Sequence, residues 1–460
     1  MSVDNRSVVI AGDLLALTKQ LRVGDKLPSV RELSKQYGAS PLTISQAIAS
    51  LAATGAVRAE PGRGTFVASG LRQVDPDYSW QSGTLGRPRV DAVRSSRLGA
   101  YGSADDIQLS WGYLAPELQP LDELRTLGGR AARSSRAWSM APAHGLPDLR
   151  RVFAAELGAE QGDVVVVPGG QQALVFAMRT LGEPGSVILT ESPTYPGAIL
   201  ASQTAGMEMV SIPSDSDGIL PHKLAEALER TRSKMIYLQP GCANPTGTTL
   251  PNNRRSEVLA LAKQHGAFVL EDDWARHLSL ANAPAPSLFS KDVDGHVVSI
   301  LTLTKVLSPG LRIGALVARG PAGARLRNAR IAEDMCVPPL MQEIALGMLT
   351  SPAWNRHLRR LRSALLERRD VMVHEVTQQL PDARIPGVPK GGIHLWVKLP
   401  EGADPTRLVE SAQEAGVLVG NGGHFFVDEA PGCFIRLSYG AASIPQISEG
   451  IRRLAKLEIS

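Results

Sequence analysis

Residues 299–314 read SILTLTKVLSPGLRIG. An apolar run ends at Lys305, a Pro-Gly turn follows, and Arg312 stands seven residues after the lysine. An amine at a strand end can form a Schiff base with an aldehyde, and an always charged guanidinium fork suits a phosphate. The pair predicts a pyridoxal-phosphate (PLP) site with Lys305 as its covalent anchor.

Upstream and downstream of this stretch, short β-branched or apolar runs alternate with helical patterns. The spacing predicts strands at 164–167, 187–190, 209–212, 235–238, 268–270, 297–301 and 313–317. Such alternation argues for a mostly parallel sheet covered on both faces, and such sheets place ligands beyond the carboxyl ends of their strands. Chemistry-bearing residues follow those ends. After Val167 come Gly169, Gly170 and Gln171, a glycine turn opening a helix whose first N–H groups suit a phosphate. After Thr190 comes Tyr195, which can stack on a planar ring or simply pack. After Leu238 comes Asn244-Pro245-Thr246-Gly247, after Leu270 comes Glu271-Asp272-Asp273, and Thr302 and Thr304 flank the approach to Lys305.

The first seventy residues have another character. Of the 49 basic and 45 acidic residues, 13 and 8 fall within 1–100, so the basic excess lies wholly at this end. That is where a nucleic-acid partner would want it. Apolar residues recur at helical spacing from Val8 to Leu21. Ser29 and Glu32 have capping-box spacing at the start of a second helix that Gly38 ends, and Ser40 with Pro41 opens a third. Two helices joined around a glycine predict a helix-turn-helix, and 57–67 reads as a hairpin turning at Pro61-Gly62. From Leu71 to about Asp105 no period is sustained, which reads as a flexible linker whose Arg87, Arg89, Arg94 and Arg97 form a solvated basic stretch.

With 460 residues, 43% apolar and 20% charged, the composition is that of an ordinary multidomain globular chain. Cys242, Cys336 and Cys433 stand far apart without metal-ligand spacing, which predicts a reduced cytoplasmic protein with no structural zinc. No segment has the apolar length of a membrane span, and the N-terminus has no cleavable-leader pattern.

The string LPSVRELSKQYGASPLTISQAIASLAATGAV with the later RGTFV resembles the GntR-type winged helix-turn-helix. The ordered strand-end motifs resemble the fold-type I PLP enzymes of the aspartate aminotransferase class over roughly 107–460, and the whole resembles the MocR subgroup of GntR-type regulators. The resemblance implies a mainly α head at 1–69, a linker at 70–106 and an α/β aminotransferase-like body at 107–460. The body is a mostly parallel sheet with a smaller C-terminal α+β subdomain from about 338. It implies that Lys305 carries the cofactor, Asp272 pairs with the pyridine nitrogen, Asn244 meets the phenolic oxygen and Tyr195 stacks on the ring. Gly170, Gln171, Thr302 or Thr304, and Arg312 would hold the phosphate, and Arg436 would grip an amino-acid carboxylate. In the head it implies a phosphate contact for Arg31, groove-facing roles for Ser40, Thr43 and Gln46, and wing contacts for Arg63 and Gly64.

The chain departs from the family at three places, one in the head and two in the body. Pro41 and Ser45 stand where related heads often carry arginine, Trp274 and Ala275 stand where a tyrosine usually follows the Asp-Asp pair, and Met140 replaces a tyrosine that reaches the partner subunit. The expected function is a homodimeric regulator that binds double-stranded operator DNA and senses PLP, or an amine or amino acid that reacts with it. An active aminotransferase carrying a DNA-binding head is the alternative. His394 and His424 read as ordinary residues of the small subdomain.

Overall fold

The structure is a computed structural model that describes residues 5–68, 77–98, 102–103, 105–281 and 285–457. The chain separates into two compact units, 1–87 and 88–460.

In the first unit, helices Asn5–Thr18, Val30–Tyr37 and Pro41–Ala53 enclose Ile10, Leu14, Leu27, Leu33, Ile44, Ile48 and Leu51. Their ends follow the local chemistry read from the sequence. Ser29 Oγ accepts from Glu32 N, while Glu32 Oε2 accepts from Ser29 N at 2.7 Å. Gly38 takes the left-handed conformation that terminates the second helix, and Arg6 donates to the Tyr37 and Gly38 carbonyls there. Ser40 caps the third helix, with Pro41 in its first turn. Strands Val57–Glu60 and Gly64–Val67 then pair antiparallel.

The second unit is built on an eight-stranded sheet among the described residues. Its order is Val164–Val167, Gly314–Val317, Val297–Thr302, Phe268–Asp272, Met235–Leu238, Val187–Ser192, Glu208–Asp215 and Gly218–Ile219. Five central strands are mutually parallel, while Gly314–Val317 runs against both its neighbours. Val164, Val166, Ile236, Leu238 and Val269 enter one buried cluster; Val165, Val167, Met235, Tyr237 and Leu270 enter another. Burial on both faces explains why these strands read as continuous apolar runs rather than alternating ones.

A smaller sheet of His394–Lys398, Phe434–Ser438 and Gly420–Asn421 is accompanied by the long helix Pro352–Gln379 and by Pro405–Glu414 and Ile444–Leu454. The short strand Val417–Leu418 pairs with Ile107–Gln108.

The stretch expected to be a tether is in part ordered. Helices Ser79–Thr84 and Ala92–Leu98 form within it, and Asp91 N donates to Gln203 Oε1 at 3.0 Å. Short polar runs hide this order, because a seven-residue helix held from one side carries almost no periodic signal.

Gly314 controls how closely the strands approach beside Lys305. A Cβ there would lie 2.5 Å from Leu301 O and 3.3 Å from Gly169 Cα, both backbone atoms that cannot move aside alone. Gly314→Ala is therefore expected to destabilise the body by about 1–3 kcal/mol, read as a lower urea midpoint, with the PLP affinity falling in step.

Candidate functional site

One cavity of about 730 Å³ opens where the sheet's strand ends meet the small subdomain. The ten body residues expected to hold the cofactor or a carboxylate line it: Gly170, Gln171, Tyr195, Asn244, Asp272, Thr302, Thr304, Lys305, Arg312 and Arg436.

Asp272 ends the strand Phe268–Asp272 and is buried. Its Oδ2 accepts from Tyr237 Oη at 2.9 Å and Gln239 Nε2 at 2.8 Å. Both bonds take the same oxygen. Burial raises the carboxyl to about 6 against the lowering effect of those two donors. Its acidic neighbours have other duties. Glu271 points to the opposite face and accepts from Leu288 N and Phe289 N, and Asp273 pairs with Arg276. Strand alternation thus decides among three adjacent acids that residue order leaves equivalent.

Lys305 Nζ donates to Gly112 O at 2.8 Å and lies 3.9 Å over the Tyr113 ring. Burial, then the Arg436 charge, lowers the amine to about 7, with Asp272 acting the other way. Near neutral pH a large fraction of it is the uncharged nucleophile an aldehyde requires.

Beside Lys305 lies an anion cup. The helix Gly170–Leu181 starts without a side-chain cap, and its first residues Gly170 and Gln171 line the cavity, which suits its N-terminal N–H groups to an anion. Gly169, at φ +94°, leaves the space the Arg312 guanidinium occupies: a Cβ would stand 3.0 Å from Arg312 Nη2. Arg312 itself holds φ +50°, uncommon for a residue with a side chain, and donates to Pro168 O. Thr302 Oγ1 accepts from Thr304 N, while Thr304 Oγ1 is buried with no partner.

At the other end Arg436, on Phe434–Ser438, donates to Asn244 Oδ1 at 3.1 Å and Ser110 O at 2.5 Å; its Nε is buried and unpartnered. Burial lowers it only to about 10, so it stays charged. Leaving a buried donor open costs about 1–3 kcal/mol, more when it is charged. Four residues lining the cavity carry a buried atom without a partner, Arg94 Nε, Thr304 Oγ1, His394 Nδ1 and Arg436 Nε, and a ligand with phosphate and carboxylate groups would satisfy such donors. The donor set fits PLP and an attached amino acid.

Several lining residues escaped the sequence. His394 and His424, read there as ordinary, both line the cavity. His394 packs beside Trp274, ring centroids 5.8 Å apart, and burial with Arg436 and Lys305 holds its pKa well below the usual histidine value, so the ring is neutral. Trp274 fills space rather than donating into the site, because its Nε1 donates to Cys242 O. Trp111, Gly112 and Tyr113 come from an irregular loop that no period marks. Gln239 follows a predicted strand by one residue, so the strand-end rule could have found it. Arg94, assigned to the solvated linker, also lines the cavity.

In the head, Arg31, Gln46 and Arg63 are exposed, and Arg63 pairs with Glu60 at 2.8 Å. Ser40 is exposed at its Cα position but its hydroxyl is spent on the cap, 3.2 Å from Thr43 N. Gly64 is half-buried in the wing. Thr43, expected to face the groove, is instead buried, its Oγ1 2.9 Å from Ser40 Oγ. The third helix turns it inward together with Ile44 and Ala47.

Comparison with known proteins agrees with both halves. Residues 107–454 match the family described as aminotransferase class I and II, and residues 15–67 match the bacterial regulatory proteins of the gntR family. The HTH-type transcriptional regulator TauR of Rhodobacter capsulatus is 29% identical over 96% of this chain and 93% of its own. The 2-aminoadipate transaminase of Thermus thermophilus is 32% identical over 76% of this chain and 89% of its own. The structure of the Thermus thermophilus alpha-aminoadipate aminotransferase complexed with N-(5'-phosphopyridoxyl)-L-leucine superposes with TM-score 0.75 at 30% identity, covering 82% of this chain and 97% of that one. The chain belongs to the aminotransferase class I and II family, with a gntR-family helix-turn-helix head joined to its N-terminal side.

Proposed function

We propose that this protein is a cytoplasmic, homodimeric transcriptional regulator whose body binds PLP and an amine or amino acid that reacts with it. The observation that carries the reading is one chain holding both an exposed helix-turn-helix surface and a cavity with Lys305, Asp272, Arg312 and Arg436. The head, connector and body are assigned to 1–69, 70–106 and 107–460. Dimerisation is supported by the exposed Trp138 and Met140, apolar surface that a second subunit would cover. Among the described residues no helix is long and apolar enough to cross a membrane, no acidic, histidine and cysteine cluster suits a metal, and all three cysteines are free.

PLP, when bound, supplies an aldehyde that condenses with amines and a ring that withdraws electrons. Lys305 is its covalent anchor, and the Gly170 and Gln171 N–H groups, Thr302 or Thr304, and Arg312 hold the phosphate. Asp272, held by Tyr237 and Gln239, would pair with the ring nitrogen. Asn244 spends its carbonyl on Arg436, which leaves its NH₂ as donor to the phenolic oxygen. Tyr195, its hydroxyl donating to Gln171 Oε1, would stack on the ring face. Arg436 would take the ligand carboxylate, a task suited to its bidentate fork. In the head, Arg31, Ser40, Gln46, Arg63 and Gly64 contact DNA, with Thr43 acting from beneath as part of the helix start.

A second reading, a working aminotransferase, is favoured by the intact Arg436 beside Lys305. Trp274 and Ala275 leave no tyrosine hydroxyl at the position following the acidic pair. Sustained conversion of an amino acid with a 2-oxo acid, lost in Lys305→Ala, would establish it.

DNA from the protein's own upstream region should be retarded by the purified chain, with PLP changing the affinity. Lys305→Ala should abolish the cofactor's visible absorption and that PLP dependence. Absence of retardation with and without PLP would overturn the reading.

Capture of PLP by the cofactor-free protein should speed up roughly tenfold per pH unit below 7 and level off above it, because only the unprotonated Lys305 attacks. Arg436→Leu removes a charge that lowers the Lys305 pKa, so its plateau should move to higher pH. A wild-type rate that keeps climbing toward the ordinary lysine value of 10.5 would contradict the buried environment.

A further inference from the structure

The connector touches the pocket. Helix Ala92–Leu98 packs against the helix Pro196–Ala205, whose N-terminal side carries Tyr195. It is anchored by the Asp91 N to Gln203 Oε1 bond. Its Arg94 side chain is only 13% exposed, although the neighbouring Ala92, Val93, Ser95 and Ser96 are exposed. Arg94 lines the cavity, donates one Nη2 bond to Phe426 O at 3.1 Å, and keeps a buried Nε with no hydrogen bond, Asp91 Oδ2 being 3.9 Å away. Burial lowers its pKa, so the surroundings give back less than water would.

The acceptor of Arg94 is itself tied to the ligand end of the site. Phe426 follows Phe425, whose ring lies 4.9 Å from the Arg436 guanidinium and whose carbonyl accepts from Thr194 N, next to Tyr195. Arg436 and the segment carrying Tyr195 are therefore linked to Arg94 through Phe425 and Phe426. That makes a contiguous path from ligand to connector, of the kind that can bias a marginally held element. The element is marginal by construction: seven residues, with Ala92, Val93, Ser95 and Ser96 exposed, held to the body through Asp91 and Arg94. Segments with so few buried contacts open at low free energy.

We propose that helix Ala92–Leu98 is a strap that reports occupancy of the cofactor pocket to the chain leading to the DNA-binding head, with Arg94 as its ligand-responsive contact. An occupied pocket draws Arg436 and the Phe425-Phe426 loop onto the ligand, which fixes the carbonyl that Arg94 holds. An empty pocket leaves that loop, and with it the strap, free to lift. The proposal rests on the regulatory reading for its purpose, but the strap's response to ligand stands or falls by itself.

The test uses the full chain and N-(5'-phosphopyridoxyl)-L-leucine, a stable conjugate that fills the cofactor and amino-acid positions together. Amide hydrogen exchange is followed in 91–98 and in 422–427. In the wild-type chain the conjugate should slow exchange of both segments by about fivefold or more. In Arg94→Ala it should still slow 422–427, which shows that it has bound to a folded body, while 91–98 changes by less than about twofold. Equal slowing of 91–98 in both proteins, or protection of 422–427 without protection of 91–98 in the wild type, overturns the strap. A parallel titration of upstream DNA should show a conjugate-dependent affinity change in the wild type that is lost in Arg94→Ala. If neither protein binds DNA, the regulatory reading fails and the exchange result alone decides the strap.

Discussion

Burying a mostly parallel sheet on both faces fixes nearly everything else about the body. Strands such as Val164–Val167 and Met235–Leu238 have no solvent face, so polar side chains are tolerated only at their ends or where partners satisfy them. The carboxyl ends are where polar groups gather, and the small subdomain roofs them into a cavity of about 730 Å³. Within that low-dielectric space each ionisable group depends on its neighbours. Asp272 leans on Tyr237 and Gln239, Lys305 is neutralised by burial and Arg436, and Arg436 in turn bonds Asn244. The site is a set of mutually adjusted groups rather than a list of independent residues.

The same economy explains the departures from the family. Trp274 directs its only donor to Cys242 O and uses its ring to flank His394, a neutral imidazole next to Lys305. Together they form a wall of the cavity in which the Trp274 donor is turned away from the interior. The head is stabilised separately by its caps and a compact apolar centre, so its fold does not depend on the state of the pocket.

Much of this was legible because local chemistry is written locally. The capping box at Ser29 and Glu32, the left-handed Gly38 and the Pro41 start appear in the structure where the sequence puts them. The strand ends were legible for the related reason that apolar runs four to eight residues long mark buried strands. Legibility failed where position depends on distant parts of the chain. Thr43 was read as groove-facing from its place early in the third helix, yet the helix rotation set by Ile44, Ala47 and Ile48 turns it inward. His394 and Arg94 lie far in sequence from Lys305 and carry no signal of their own until the fold brings them to it.

By itself the sequence determined the two-part organisation, most elements of each part, and the strand-end positions of Lys305 and Arg312, because periodicity, capping and strand-end position are short-range consequences of side-chain chemistry. Tertiary structure alone decided which of Glu271, Asp272 and Asp273 faces the pocket and what pKa Lys305 holds. It also decided that a stretch reading as a loose tether places Arg94 in the pocket wall. Those outcomes depend on burial and on partners hundreds of residues away, such as Phe426 for Arg94, and no local pattern encodes them.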